Sequence, residues 1–346
     1  FREVRLGPPL DRNILRLNKL FAVSLTVLVA LTGCASEPQA IDQDSIVLYA
    51  GRDEELVQPL IEMFEEETGI QVEVRYASSA ELAAQLLEEG ENSPANVFFA
   101  QDAGALGAVS KAGLLTKLPT EIYDLVPAAY SAADGMWVGV SGRVRVLNYN
   151  PNTVAELPKS VFDLADPIWK GRVAIAPTNA SFQAFVTAMR VVEGDEKTLE
   201  WLTAMKQNAV IFEKNGAILE AVEAGQVDVG LINHYYWYAL AQEQGAENMK
   251  SKIAQFETND VGNLINAAGV GIVNDSTAAR KFVEYLLSKT GQNYFAESTR
   301  EYPLIAGLMP ADDLTPLTDI PSPKVDLSDL DSLERTLELI RQAGLI

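Results

Sequence analysis

Two hydrophobic rhythms alternate along most of this chain. Short unbroken apolar runs fit strands buried on both faces, and longer stretches whose apolar residues recur about every three or four positions fit one face of a helix. Ile46-Val47-Leu48-Tyr49 reads as the first strand and Gly51-Arg52-Asp53 as its exit loop. The spacing then predicts a helix over 54–68, with Leu56, Val57, Leu60, Ile61 and Phe64 on one face and Gly69 as its stop. Val72 to Tyr76 is the next strand, Ala80 to Glu89 a helix, Val97 to Ala100 a strand, and Asp102 caps a helix to about Lys111. Strand and helix in turn imply a parallel sheet.

The rhythm changes near Trp137. Two strands are predicted there, Trp137 to Val140 and Val144 to Leu147, with no helix between them, which fits a crossover between lobes. A second α/β unit follows, with a strand from Val173 to Ala176, the loop Pro177-Thr178-Asn179-Ala180, helices over 181–192, 197–208 and 217–224, and a strand from Val227 to Ile232. Gly269 to Val273 and a helix over 277–288 return to the first unit. The expected fold is α/β with two lobes. Residues 45–140 and 265–310 make a discontinuous first lobe, 141–264 the second, and 311–346 a proline-punctuated tail ending in a helix over 328–343. Ligands of open α/β sheets bind outside the carboxyl ends of the strands, so two facing lobes place the site in a shared, hinged cleft.

Residues 1–33 depart from this pattern. Arg2, Arg5, Arg12, Arg16 and Lys19 precede an uncharged run from Leu20 to Leu31 that is short for a membrane span and leads into Leu31-Thr32-Gly33-Cys34. That is the layout of a lipoprotein signal. Cleavage before Cys34, the single cysteine, would free a thiol for lipidation, and residues 34–44 would link the anchor to the fold. The expected location is extracytoplasmic and membrane-anchored; a buried or leftover cysteine is the other reading. The whole chain carries a net charge of −21, and without the five basic and two acidic residues of 1–33 it carries −24. On that balance nucleic acid and anionic lipid surfaces are poor partners and cationic ligands are favoured at long range. One cysteine also excludes soft thiolate metal sites.

The candidate chemistry lies in Asn233-His234-Tyr235-Tyr236-Trp237-Tyr238, where a strand ends and a helix begins. Asn233 is placed to cap that helix. Tyr235 and Tyr236 then meet the positive end of its dipole, which eases ionisation of a phenol whose unperturbed pKa is about 10. Two phenolates would suit a small trivalent cation such as Fe³⁺, whereas ordinary packing with hydrogen-bonded hydroxyls is the alternative. Adjacent helical residues diverge by about 100°, so both oxygens reach one ion only at an irregular first turn. No HExxH, GxSxG or P-loop is present, and His234 is the only histidine, so an enzyme is not expected.

Asn233-His234-Tyr235-Tyr236-Trp237 resembles the Tyr-Tyr motif of the periplasmic ferric-ion-binding proteins, the substrate-binding components of iron(III) ABC importers. Leu48 to Leu56, Glu88 to Phe99, Val138 to Arg143, Trp169 to Arg172, Lys214-Asn215, Glu220 to Val222 and Glu301 to Leu304 are similar to further segments of that family, in order and across nearly all of the chain beyond Cys34. The resemblance implies a two-lobed type II periplasmic binding fold, ferric iron as cargo, an ABC permease as partner and a monomer. It implies Tyr235 and Tyr236 as metal ligands. Where many relatives carry a histidine after the first strand this chain has Asp53, and where they carry a glutamate after the third strand it has Gln101. Asp53 is then either a carboxylate ligand or a helix cap. Gln101 and His234 are expected beside the ligands, and Tyr49 is a further candidate ligand.

Some relatives supply an extra tyrosine from the loop after the first strand of the second lobe, but the corresponding stretch here offers Phe182, which cannot ligate. A small anion, carbonate foremost, is therefore expected to complete the coordination shell. Asn179, Ser181, Asn215 and Asn233 are its candidate donors, with Arg52 offsetting its charge, unless these residues serve only as turn formers and caps. A binding protein of the same fold for a polyamine, thiamine or an oxyanion is the alternative function.

Overall fold

From Ser45 to Lys111 the chain alternates strand and helix as its pattern predicts: β1 (Ser45–Gly51), α1 (Glu54–Thr68), β2 (Gln71–Tyr76), α2 (Ser79–Glu89), β3 (Val97–Ala100) and α3 (Ala103–Lys111). After the short α4 (Thr120–Tyr123) come β4 (Trp137–Tyr149), β5 (Val173–Ile175), α5 (Ala180–Glu193), α6 (Asp195–Asn208), β6 (Ala209–Ile211), α7 (Asn215–Glu223), β7 (Val229–Asn233) and α8 (His234–Gln244). The chain continues through β8 (Lys252–Ala254), β9 (Ile265–Ile272), α9 (Thr277–Leu286), α10 (Lys289–Glu297), β10 (Tyr302–Pro303) and α11 (Leu333–Gln342). This computed structural model describes residues 45–311 and 313–346. Cys34 and the rest of the expected signal and linker lie outside the described residues.

Local chemistry explains several boundaries. Gly69 takes a left-handed φ of 74° and donates its N–H to the Glu65 carbonyl, closing α1. Ser78 and Glu81 form a reciprocal capping box at the start of α2, and the Asp102 carboxylate accepts from the Ala105 N–H at the start of α3.

Ten strands form one curled sheet in the order β2-β1-β3-β9-β4-β7-β5-β6, with β8 and β10 also paired to β4. In one half β2, β1 and β3 run parallel and β9 antiparallel; in the other, β5, β6 and β7 run parallel, and β4 is antiparallel to β7. A single strand joins the halves. Residues Trp137 to Val144 of β4 pair with β9, and Arg145 to Tyr149 pair with β7. The two strands expected here are therefore one continuous element of 13 residues, with a register shift between Gly139 and Ser141. A Cβ on Gly139 would lie 2.6 Å from the Tyr130 carbonyl oxygen, so the close approach at this irregularity requires glycine.

The large core covers the first half of the sheet and the α5–α6 side of the second, where Phe182, Phe185 and Trp201 interlock. Phe182 is fully buried, and truncating such a ring typically costs about 3–5 kcal/mol. A smaller cluster on the opposite face gathers Val144, Val146, Ile218, Val222 and Ile232. Two elements differ from expectation near the end of the chain. α10 has no counterpart in the sequence pattern, and the last helix is broken at Ser332, with a 3₁₀ segment over Leu327–Asp331 before α11. That segment packs on α3 while α11 packs on α5 and α6, so the tail touches both halves.

Candidate functional site

The fully buried strand β7 ends at Asn233, and His234, Tyr235 and Tyr236 form the first turn of α8. Asn233 occupies the N-cap position, but its side chain does not cap; its amide instead turns toward the Tyr235 hydroxyl, 3.5 Å away. The rings of Tyr235 and Tyr236 stack with centroids 4.5 Å apart and planes 29° from parallel. Both line one cleft. Although Tyr235 and Tyr236 are neighbours in the first turn of the helix, their side chains converge enough for the rings to stack.

The lone histidine is fully engaged. Its Nδ1 accepts from the Val144 N–H at 3.2 Å, so Nε2 carries the proton and donates to the Arg300 carbonyl at 2.8 Å. Burial depresses the imidazole pKa to about 4, which keeps the ring neutral, and neither nitrogen has a lone pair to offer a metal.

Beneath the tyrosines lie three buried arginines. Arg52 is 5 % exposed and Arg143 and Arg145 are each 2 % exposed. Arg143 donates to the Gln101 carbonyl, and Arg145 donates to the Ser181 hydroxyl at 3.0 Å and lies 5.1 Å from the Phe185 ring centroid. Burial and the charge of Arg143 lower Arg145 to about 9, so it remains charged at neutral pH. Tyr236 is affected oppositely: burial, then the neighbouring Tyr235, push its phenol well above the ordinary range. Ionising Tyr236 therefore needs positive charge nearby, part of which the buried arginines supply.

Across the cleft stand Asp53, at the N-cap position of α1, and Gln101. Asp53 is exposed, and its side chain makes no capping bond, leaving both carboxylate oxygens open to the cleft. Asp53, Gln101, Asn179, Lys214 and Tyr235 lie just past the carboxyl ends of β1, β3, β5, β6 and β7, as ligand residues of parallel sheets do. The cleft measures about 730 Å³, and its rim carries Glu54, Glu55, Glu213 and Glu220 against Lys214. Among the described residues no group of three or more His, Cys, Asp or Glu side chains could hold a metal; the hard oxygen donors lining the cleft are the two phenols, Asp53 and the carboxylates of the rim.

Residues 92–331 match the family model described as bacterial extracellular solute-binding protein. The chain belongs to this family. This solute-binding protein is 35 % identical over 338 residues to the Fe(3+)-binding periplasmic protein of Serratia marcescens, covering 96 % of this chain and 99 % of the relative. It is 35 % identical to the major ferric iron-binding protein of Neisseria meningitidis serogroup A, covering 92 % and 97 % respectively. The crystal structure of iron-bound HitA from Pseudomonas aeruginosa superposes with a TM-score of 0.83 at 35 % identity, over 87 % of this chain and 99 % of that one. The two half-sheets are thus the lobes of the two-lobed type II periplasmic binding fold, and the cleft lies between them.

Not every residue expected at the site of this solute-binding protein is there. Tyr49 is withdrawn as a ligand: its hydroxyl meets Glu89 at 2.9 Å, Arg75 at 2.9 Å and Gln85 at 3.1 Å, between β2 and α2 and away from the cleft. Arg52 is committed to Glu301 at 2.7 Å, so it is not the free counter-charge expected of it. Asn179, Ser181 and Asn215 do come together. The Ser181 hydroxyl accepts from Arg145 and from Asn215 at 3.1 Å and donates to Asn179 at 2.6 Å, while Asn179 also caps α5. Sequence reasoning missed Arg143, Arg145 and the acidic rim. A signal existed in Arg143-Val144-Arg145-Val146, where strand alternation puts both charges on one face and both valines on the other.

Proposed function

We propose that this solute-binding protein captures ferric iron in the inter-lobe cleft and delivers it, outside the cytoplasm, to an ABC importer. The observation that carries this reading is the stacked Tyr235–Tyr236 pair at the start of α8, open to the cleft above and backed by buried arginines below. Fe³⁺ is a hard ion that favours anionic oxygen. The acidic rim raises the local concentration of cations, the ion displaces the phenolic protons, and the arginine floor stabilises the phenolates that result. Asp53 supplies a third anionic oxygen from the opposite lobe, which brings the ligand charge to that of the ion with opposite sign. Ligands from both walls make the closed arrangement the one that iron stabilises.

Three protein oxygens leave positions open on an octahedral ion. A small anion, carbonate foremost, fills them in this reading, with Arg145 and the Asn179–Ser181–Asn215 chain at its edge, Asn233 beside Tyr235, and Gln101 alongside as a neutral hydrogen-bonding neighbour. An organic-cation site would use open aromatic faces, but each of these two rings covers one face of the other. Cys34 carries the lipid anchor in the same reading, and the protein acts as a monomeric carrier with no catalytic step. The test is direct: ferric citrate added to the purified protein gives a visible phenolate-to-iron charge-transfer band, and a colourless protein that binds no iron overturns the proposal.

A further inference from the structure

Arg300 and Glu301 stand between the two elements that carry the candidate ligands. The Arg300 carbonyl accepts from His234, the first residue of the helix that bears Tyr235 and Tyr236, at 2.8 Å. One residue on, the Glu301 carboxylate holds Arg52 at 2.7 Å, and Arg52 directly precedes Asp53. Adjacent residues thus grip the tyrosine helix of one lobe and the carboxylate loop of the other. We propose that this pair is a yoke that fixes the placement of Asp53 relative to Tyr235 and Tyr236, with Glu301 a positioning residue for iron capture. The inference rests on the iron reading of the cleft.

The grip is stiff on each side. Glu301 is 1 % exposed, and the Oε2 atom that takes Arg52 also accepts from the Thr299 hydroxyl at 3.0 Å. Arg52 lies 5.4 Å from the Phe99 ring centroid. Just beyond, Tyr302 and Pro303 pair with Gly142 and Ser141 of β4, which seats the yoke where the shared strand passes between lobes. Arg300 itself has a φ of 58°, a left-handed conformation rare outside glycine, and its side chain is tied to Gln242 and Asp313, each at 3.1 Å. Such a backbone persists only where its surroundings over-determine it.

The loop gains its order from the same contact. Asp53 makes no capping bond of its own, so its placement follows from its locked neighbour Arg52. Coordination geometry must hold to within about 0.5 Å to be productive. Buried ion pairs are often neutral for stability relative to apolar replacements, which makes placement of the ligand loop the more specific role for this one.

Two measurements on the full chain test the yoke separately from the iron reading. In the first, hydrogen exchange is followed without metal: Glu301→Ala should raise exchange in both 51–56 and 234–238, with Glu301→Gln giving a smaller change in the same places. Exchange that rises only around 299–303 in both variants would overturn the yoke, whatever the cleft binds. In the second, iron affinity is read by citrate competition in a double-mutant cycle with Asp53→Ala. Glu301→Ala should cost roughly tenfold or more with Asp53 present and under about threefold without it, because the two changes remove one placed ligand. Equal losses in both backgrounds mean a general structural role and overturn the proposal. Failure of the unmodified protein to take up iron would strike the iron reading, and the exchange result would still decide the yoke.

Discussion

Arg145 places its guanidinium 3.0 Å from the Ser181 hydroxyl, joining the strand shared by both lobes to the first turn of α5. Through Ser181 the charge reaches Asn179 and Asn215, so one buried cation organises the polar wall beside the tyrosines. If that wall holds a carbonate, bicarbonate should tighten iron binding in decarbonated protein, and Arg145→Gln should remove most of the gain. Full affinity and an unchanged spectrum without any added anion would show that protein groups and water suffice.

Tyr235→Phe and Tyr236→Phe each keep a ring in the stack and delete one oxygen. Either change should weaken iron binding by well over tenfold, more than about 1.4 kcal/mol, and shift or abolish the visible band, while the melting temperature stays nearly constant. Normal affinity and spectrum in either variant would remove that residue from the ligand set.

Binding as phenolates also fixes a pH dependence. Burial and its neighbour keep Tyr236 protonated until iron displaces the proton, so affinity must fall on acidification. Release of about two protons per iron in weakly buffered solution checks the pair together, since a pair binding as neutral phenols releases none.

Acid should destabilise the fold through His234. Its pKa is near 4 in the folded protein and about 6.5 when unfolded. The contribution is therefore fully present above about pH 6.5 and is lost as pH falls from there through 4, up to roughly 3 kcal/mol by linkage. Glu301 adds to this at lower pH: burial raises its pKa, but Arg52, Arg143 and the Thr299 hydroxyl together outweigh burial and leave it below the ordinary value, so its stabilisation goes as pH drops through the folded pKa. Urea titrations at pH 7.5 and pH 5 measure the first effect, and His234→Gln should flatten the dependence between those values.

Cys34→Ser should release the protein from membranes and leave soluble iron binding intact. Membrane association unchanged by that substitution would discard the lipid anchor.

How much could be read from sequence depended on whether burial and polarity agreed. β3 is a run of four apolar residues and α1 has a clean helical period, and both lie where the pattern puts them. Disagreement produced the errors. Ser141-Gly142-Arg143 looked like a gap between strands because a charge and two small residues rarely continue a buried strand, yet all three are buried in β4. The apparent gap is the middle of the strand that joins the two half-sheets. Tyr49 and Arg52 misled for a different reason: residue type was right for a ligand and for a counter-charge, but partners distant in sequence, Glu89 and Glu301, had already taken them. The stacking of Tyr235 on Tyr236 was likewise invisible, since side-chain orientation within a helical turn is not written in residue type.

The continuous strand β4 has a consequence for how such a protein can be inherited. With β9 bonded along its first part and β7 along its last, no single cut in the chain leaves each lobe with a whole sheet. A fragment without β4 exposes an unpaired strand edge, the feature that invites aggregation. Recombination between relatives could therefore exchange surface loops or the ligand turns freely, but a lobe could be exchanged only together with a β4 that fits the lobe left behind. Changes in what the cleft recognises should thus accumulate residue by residue at its strand ends, with the shared strand handed down intact.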